Sequence, residues 1–397
     1  MITVFYLLVL EQILQGLYSL WQGLEWLKMA RLHVSVRSNF YAPRVALICP
    51  VKGMEEDLES NLLRLTQFDY PQYEVFFAIA TADDPAYRLL ERVVAASKRP
   101  AHIVRAGRTL DCSDKVHNLI AAVGEIGEQF EVLVFTDSDG RPPRLWLARL
   151  VAPLADGNLG AVTAFRWLLP KRAGLWSGLA AAWNASAATY LGEHKRNFCW
   201  GGGTAIKRER FDALRIKDAW RGAASDDYVL TRALQNNGLR IAFAPECLVP
   251  SACNFDARTL FEFTNRQLVI TRVYAPRLWF AAFTGHLFYC ATMLTGIGAW
   301  FASSMMGLPG IQFVVLALIP PIFASVRGVL RLVAVLELLP DLREQLLNEG
   351  WVWVLLAPLV PFVYLYNSLN AVFTRKITWR GIRYELLSPI RTRIIAR

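Results

Sequence analysis

Four long apolar stretches bracket this chain and restrict what it can fold into. They run over residues 2–27 (ITVFYLLVLEQILQGLYSLWQGLEWL), 278–304, 311–336 and 351–373. Each exceeds the roughly 20 residues an α-helix needs to cross a bilayer. The middle, about 40–275, has the polar, interrupted pattern of a folded soluble domain. With 54% hydrophobic residues and thirteen Trp in 397 residues, the chain reads as a soluble-type domain fixed to a membrane. The first stretch carries Glu11, Gln12, Gln15 and Glu25. Polar residues in a span usually face protein or a polar ligand, and the alternative is an amphipathic helix lying in the interface. It has no basic n-region and no small-residue cleavage site, so it is not read as a removable signal peptide.

Lys28, Arg31, Arg37 and Arg44 follow directly and place the middle domain on the cytoplasmic side. The expected division is a transmembrane helix over 1–27, a cytoplasmic domain over 28–276, a transmembrane region over 277–373 and a basic tail over 374–397. Three full spans after the domain would leave that tail on the far side, against the positive-inside rule. Arg327, Arg331 and the Pro320-Pro321 pair predict a broken or re-entrant helix in the third stretch. The reading is an integral protein of a bacterial inner membrane.

The formal net charge of +10 is compatible with nucleic acid, but no zinc-finger or RNA-binding signature accompanies it, and many Lys and Arg flank the apolar segments. Anionic lipid headgroups and a phosphorylated substrate are the expected partners, and nucleic acid is not. Six cysteines lie scattered without CxxC or CxxH spacing, which argues against zinc and against a disulfide framework. His117 and His194 have no ligand-like partners at metal spacing.

Within the domain, EVLVFTDSDGRPP (131–143) is a short β-branched run ending in two carboxylates, a glycine and a proline pair. Such a run reads as a strand buried on both faces. Side chains at i and i+2 share a face, so Asp137 and Asp139 project together from the strand's carboxyl end. Two unneutralised carboxylates that close raise each other's pKa, which calls for a cation between them. All-oxygen ligands suit Mg2+ or Mn2+ completed by phosphates. The alternative is an Asx turn that only caps the strand.

RVALICPVKG (44–53) and EVFFAIATADDPA (74–86) repeat this strand-to-polar-end pattern around the helical DLESNLLRLTQF. The order predicts an open α/β sheet whose ligands bind beyond the carboxyl ends of its strands. Neither GxGxxG nor a Walker loop is present, so a Rossmann dehydrogenase or P-loop enzyme is not expected.

The ordered series PVKG, EVFFAIATADDPA, DKVHNLIAA, VFTDSDG, CWGGGTAIKRERFD, SDDYVLTRAL and the late ITWRGIRYEL resembles membrane-bound family 2 glycosyltransferases of the GT-A fold, most closely the ceramide glucosyltransferase branch. The resemblance implies an α/β mixed sheet flanked by helices, with transmembrane helices at both ends and an interfacial helix near 258–276. It implies Asp84 as the aspartate contacting the nucleoside of a UDP-sugar, with Asp83 as the alternative. Asp137 and Asp139 match the aspartates that bind the diphosphate through a divalent cation. The second acid is often absent in the ceramide branch and is present here.

Asp227 matches the general base that deprotonates the acceptor hydroxyl. Asp226 is the competing assignment, although neighbours about 100° apart on a helix predict that only one enters the site. Lys115 and Asn118 match a segment lining the donor pocket, and Gly201, Gly202 and Gly203 the loop under donor sugar and acceptor. The closing [R/Q]xxRW motif departs from the pattern. Arg266 fits its first position, Val269 and Ile270 stand where Arg and Trp are expected, and Arg272 is the candidate substitute charge one turn on.

The expected activity is inverting, metal-dependent transfer of a hexose, glucose first, from a UDP-sugar to a membrane lipid hydroxyl. A ceramide-like acceptor is favoured, with diacylglycerol, a hopanoid or a polyprenyl phosphate as alternatives. So few spans make a poor polymer channel, which argues against a processive synthase. The rival of another class is a non-catalytic lipid-binding membrane protein that retains the fold.

Overall fold

The computed structural model describes residues 2–35, 41–172 and 174–397, so Arg37, one of the four basic residues used to orient the domain, lies outside the described residues. The chain divides into two compact units. One comprises residues 33–169, 190–252 and 375–397, the other residues 1–32, 170–189 and 253–374.

The first unit is built on a seven-stranded sheet in the order β3-β2-β1-β4-β7-β5-β8. Its strands are β1 (Val45–Pro50), β2 (Tyr73–Ile79), β3 (Ala101–Arg105), β4 (Val132–Thr136), β5 (Leu159–Thr163), β7 (Gly203–Lys207) and β8 (Arg240–Phe243). A two-stranded sheet joins β6 (Arg166–Pro170) to β9 (Val249–Cys253). All pairings in the large sheet are parallel except those of β7, which runs antiparallel to both β4 and β5. Alternate residues of β1 serve opposite cores. Val45, Leu47 and Cys49 pack on one side with Leu62, Leu90 and Trp146; Ala46 and Ile48 pack on the other with Leu119, Trp220 and Leu234. Burial on both faces is why these strands read as unbroken apolar runs.

Chain order reverses at β1, whose neighbours are β2 and β4. That reversal leaves a crevice beyond the carboxyl ends of β1 and β4, where PVKG and DSDG emerge.

Residues 374–397, expected as a basic tail, instead form a three-stranded antiparallel sheet of β10 (Lys376–Trp379), β11 (Ile382–Ser388) and β12 (Arg391–Ala396). Ile377, Ile382, Tyr384 and Leu386 are buried while Lys376, Arg383, Arg391 and Arg393 face outward. The sheet is fastened to the same unit as β1. Asp114 pairs with Arg397 at 3.3 Å, the Asp114 amide donates to the Tyr384 hydroxyl at 3.3 Å, and Arg380 pairs with Glu55. The basic residues of the expected tail are the solvent face of an alternating sheet, and this segment groups with the first unit.

The second unit is helical. Among the described residues, four of its helical stretches are long and apolar enough to cross a membrane: Ile2–Leu32, Pro276–Met305, Ile311–Leu338 and Trp351–Phe373. The first helix extends to Ser35, beyond the expected end at 27. The third is interrupted between Ala317 and Ile319, where Pro320 and Pro321 open its longer part, as their lack of N–H favours. The fourth is broken by a 3-10 turn at Ala357–Leu359, leaving Val360–Phe373 as its longest continuous helix. The Leu175–Ala188 helix also belongs to this unit, inside the span expected to be wholly cytoplasmic domain. The Ala257–Tyr274 helix, near the expected interfacial segment, starts with a capping box between Asp256 and Thr259.

Candidate active site

The carboxyl end of β4 delivers Asp137, Ser138 and Asp139 into the crevice. Gly140 lets the following turn lie against β9, where an added Cβ would run into Val249, and the Arg141 amide donates to the Pro250 carbonyl at 3.0 Å. The two aspartates do project together, and the cations between them are protein side chains. Arg166, on β6, reaches Asp137 Oδ2 and Asp139 Oδ2 at 3.2 Å each. Lys115, from the first turn of the Asp114–Glu125 helix, lies 2.9 Å from Asp137 Oδ1 and 3.3 Å from Asp226 Oδ1.

These contacts set the protonation states. Burial opposes charge on Asp137, but Lys115 and Arg166 outweigh it and hold its carboxyl below the ordinary range. Burial likewise opposes charge on Lys115 and Arg166, and the facing carboxylates raise both above their usual values. Asp226 goes the other way. Burial, with Asp227 and Asp137 nearby, pushes it up to about 6 against the pull of Lys115.

Asp226 and Asp227 open the Asp226–Asn236 helix, capped by Ser225. The two carboxylates differ in exposure and in partner. Asp226 is 4% exposed and committed to Lys115, while Asp227 is partly exposed. Asp227 Oδ2 accepts from the Gly201 amide at 3.3 Å, and its Oδ1 accepts from the Ser225 hydroxyl and from the Tyr228 amide at 2.8 Å. A tight first turn, with Gly201 passing over it, brings both carboxylates to the same loop.

Gly201 and Gly202 make this closeness possible. A Cβ on Gly201 would lie 2.5 Å from Asp226 Oδ2 and 2.7 Å from Lys115 Nζ; one on Gly202 would lie 2.6 Å from Asp137 Oδ2 and collide with the Trp200 ring.

The remaining expected residues separate into two groups. Asp84 Oδ1 accepts from the Gly53 and Ala86 amides at 2.9 and 3.0 Å, tying the β2 end to the β1 end; Asp83 is exposed. Asn118 is buried with its amide on the Ala78 carbonyl at 3.3 Å and its Oδ1 without a hydrogen-bond partner. Arg266 and Arg272 lie in the helical unit, outside the carboxylate cluster. Arg272 donates to the Ala371 carbonyl at 2.5 Å and stacks on Trp279, and Arg266 lies over Phe263. Val269 and Ile270 are core residues there, 1% and 7% exposed, which accounts for apolar side chains where Arg and Trp were expected.

Three contributors escaped sequence reasoning. Arg166 had a visible signal, a lone cation inside the apolar run VTAFRWLLP. Lys52 pairs with Asp114 at 2.6 Å and braces the helix that carries Lys115. Trp379, at the β10–β11 turn, places its ring 6.0 Å from Lys115 Nζ. The donor set at β4 is all oxygen and already holds positive charge, so it fits a hard divalent cation with Asp137 and Asp139 as its protein ligands. Among the described residues no group of three or more His, Cys, Asp or Glu could hold such an ion, so phosphate oxygens would have to complete the shell.

A mixed sheet with paired aspartates at the end of β4, beside the point where strand order reverses, flanked by helices and joined to apolar helices, defines a GT-A glycosyltransferase scaffold. The chain belongs to Glycosyl transferase family 21, which matches residues 4–391. It is 22% identical over 249 residues to ceramide glucosyltransferase 3 of Caenorhabditis elegans, covering 59% of this chain and 51% of the relative, and 22% identical over 249 residues to ceramide glucosyltransferase 1 of the same organism, with the same coverage. The chain thus spans about half the length of these curated relatives. Among solved structures it is similar to the mannosyltransferase PcManGT of Pyrobaculum calidifontis in complex with GDP-Man and Mn2+, at 17% identity and TM-score 0.46 over 91% of this chain and 99% of that one.

Proposed function

We propose that the protein is an inverting glycosyltransferase that moves a hexose, glucose first, from a UDP-sugar to the hydroxyl of a membrane lipid, with a ceramide-like acceptor favoured. Diacylglycerol, hopanoid and polyprenyl phosphate are the alternative acceptors. The observation that carries this reading is the cluster at the β4 end, where Asp137, Asp139, Lys115 and Arg166 meet the Gly201–Gly202 loop and the Asp226–Asp227 turn. Four carboxylates there face two cations, so a donor diphosphate needs further positive charge in order to bind.

A divalent Mg2+ or Mn2+ held by Asp137 and Asp139 would supply that charge and stabilise the departing nucleoside diphosphate. Lys115 and Arg166 are positioned to hold phosphate oxygens. Asp84, with the Gly53 amide it fixes, and Asn118, with its unpartnered Oδ1, suit the nucleoside side. Asp227 is the better base of the adjacent pair. Its carboxylate is partly exposed to an incoming hydroxyl, whereas Asp226 is buried on Lys115 and serves to position that lysine. The Gly201 amide holds Asp227 Oδ2 in place.

The sheet of residues 376–396 packs in the same unit as β1, so the domain and the tail lie on one side of the membrane, the cytoplasmic side in this reading. An even number of crossings must then separate them. Of the three apolar stretches after the domain, Trp351–Phe373 is the one whose longest helix, 14 residues, reaches only about 21 Å of a roughly 30 Å core. It is assigned as the stretch that enters without crossing.

Incubating purified protein with radiolabelled UDP-sugars, Mn2+ and a total lipid extract tests the activity. A labelled lipid is expected from UDP-glucose. No labelled lipid from any sugar would favour a non-catalytic lipid-binding protein.

A further inference from the structure

Arg166 stands outside every motif that identified the site, yet it is the residue that closes it. It lies on β6 between buried Phe165 and Trp167, and its side chain is 16% exposed. Nη2 lies 3.2 Å from both Asp137 Oδ2 and Asp139 Oδ1, and Nη1 lies 3.2 Å from Asp139 Oδ2. The guanidinium also sits 5.6 Å from the Trp200 ring centroid, so its fork is held against an aromatic face. Lys115 takes the remaining oxygen, Asp137 Oδ1. All four carboxylate oxygens of the pair are therefore engaged by protein cations.

A divalent ion arriving alone would have to displace a charge-assisted bidentate contact and would leave a mostly buried guanidinium without its anion. An ion arriving with a diphosphate meets a different balance, because the phosphate oxygens offer that guanidinium a new partner of the same planar geometry.

We propose that Arg166 is a positioning residue that makes divalent-cation binding at Asp137 and Asp139 conditional on the diphosphate of the donor. In the donor-free protein it holds the pair closed; with donor present it turns to the phosphate and releases the carboxylates. The proposal rests on the reading of Asp137 and Asp139 as metal ligands. By linkage, the metal raises affinity for the nucleotide by the same factor.

The test measures Mn2+ binding, by the loss of free-ion paramagnetic resonance signal and by calorimetry, on the full chain in detergent, with and without UDP. In the unaltered protein, UDP is expected to raise Mn2+ affinity at least about ten-fold. Arg166→Gln is expected to bind Mn2+ without UDP at least about ten-fold more tightly than the unaltered protein, because it frees both carboxylates, and to lose most of the UDP dependence. A damaged fold would weaken binding rather than strengthen it. Should Arg166→Gln fail to fold, Arg166→Lys decides. Its single point charge cannot span both carboxylates, so Mn2+ affinity without UDP should rise by a smaller factor and part of the coupling should remain.

Equal Mn2+ affinity with and without UDP in the unaltered protein, removed by Asp137→Asn, would overturn the role of Arg166 and leave the metal site standing. Unchanged or weaker affinity in both Arg166 variants would overturn it as well. No Mn2+ binding by the unaltered protein with UDP, or by either Arg166 variant, would overturn the metal reading and the proposal together.

Discussion

Replacing Asp226 with Asn should stabilise the metal-free protein at pH 8, although it deletes one partner of the Lys115 ion pair. Asp226 is 4% exposed and its carboxyl is pushed up to about 6, against roughly 3.9 for an unfolded chain. Burial is the largest cause; Lys115 pulls the value down, and Asp227 and Asp137 push it up. A group whose folded pKa is raised contributes stability that is full below the unfolded value and is lost as pH rises through the folded one. For Asp226 that window runs from about pH 4 to about pH 6. Two units correspond to about 3 kcal/mol of favourable protonation that is absent at pH 8.

Asparagine imitates the neutral acid at every pH, so it should recover up to about that amount above pH 7, about half of it near pH 5 and little below pH 4. Lys115 keeps Asp137 at 2.9 Å in the variant and is not left without an anion. The assay is the melting temperature of detergent-solubilised protein in EDTA at intervals from pH 5 to 8, read as the difference between variant and unaltered protein. That difference should grow with pH to several degrees in favour of the variant. A variant less stable by the same amount at pH 5 and pH 8 would show that ionised Asp226 is net favourable through Lys115, and the reasoning would fail.

Asp227→Asn should lower lipid glycosylation by on the order of 100-fold to 10,000-fold while UDP-sugar affinity by calorimetry stays within a small factor, and Asp226→Asn should lose much less. Gly202→Ala drives a methyl into Trp200 and towards Asp137, so it should cost about 1–3 kcal/mol in denaturant unfolding and weaken UDP binding; Gly157→Ala, at a position with open space around it, should be neutral. Asp84→Ala removes the acceptor of the Gly53 and Ala86 amides and should raise the dissociation constant for UDP, measured by calorimetry, by roughly ten-fold or more, whereas exposed Asp83→Ala should leave it unchanged.

The sequence displays local rules plainly and long-range company poorly. β1, β2 and β4 were legible because each is a short apolar run ended by turn residues, and the i, i+2 spacing of Asp137 and Asp139 does aim both carboxylates one way. The identity of their counter-ions was not legible. Arg166 lies 27 residues beyond Asp139 on β6, and only the pairing of β6 with β9, which also holds the DSDG turn, brings its guanidinium over the pair. Strand pairing across such separations leaves no periodic trace in either segment. A lone arginine within an apolar run was the available clue, and it carries no address.

The tail misled for a related reason. Its alternation of buried Ile377, Ile382, Tyr384 and Leu386 with exposed Lys376, Arg383 and Arg393 is the period-2 signature of a half-buried sheet. Arg380 and Gly381, both at positive φ, form the two-residue turn that such a hairpin favours. Charge density drew attention to the exposed half of that pattern and away from the buried half. Once the sheet is recognised, the basic residues of the expected tail become the outer face of a wall. That wall sets Trp379 beside Lys115 and fastens to the loop after β1 and to the start of the Asp114–Glu125 helix through Arg380–Glu55 and Arg397–Asp114. A segment read as peripheral is thereby tied to both ends of the site, the PVKG loop and the first turn of the helix that carries Lys115.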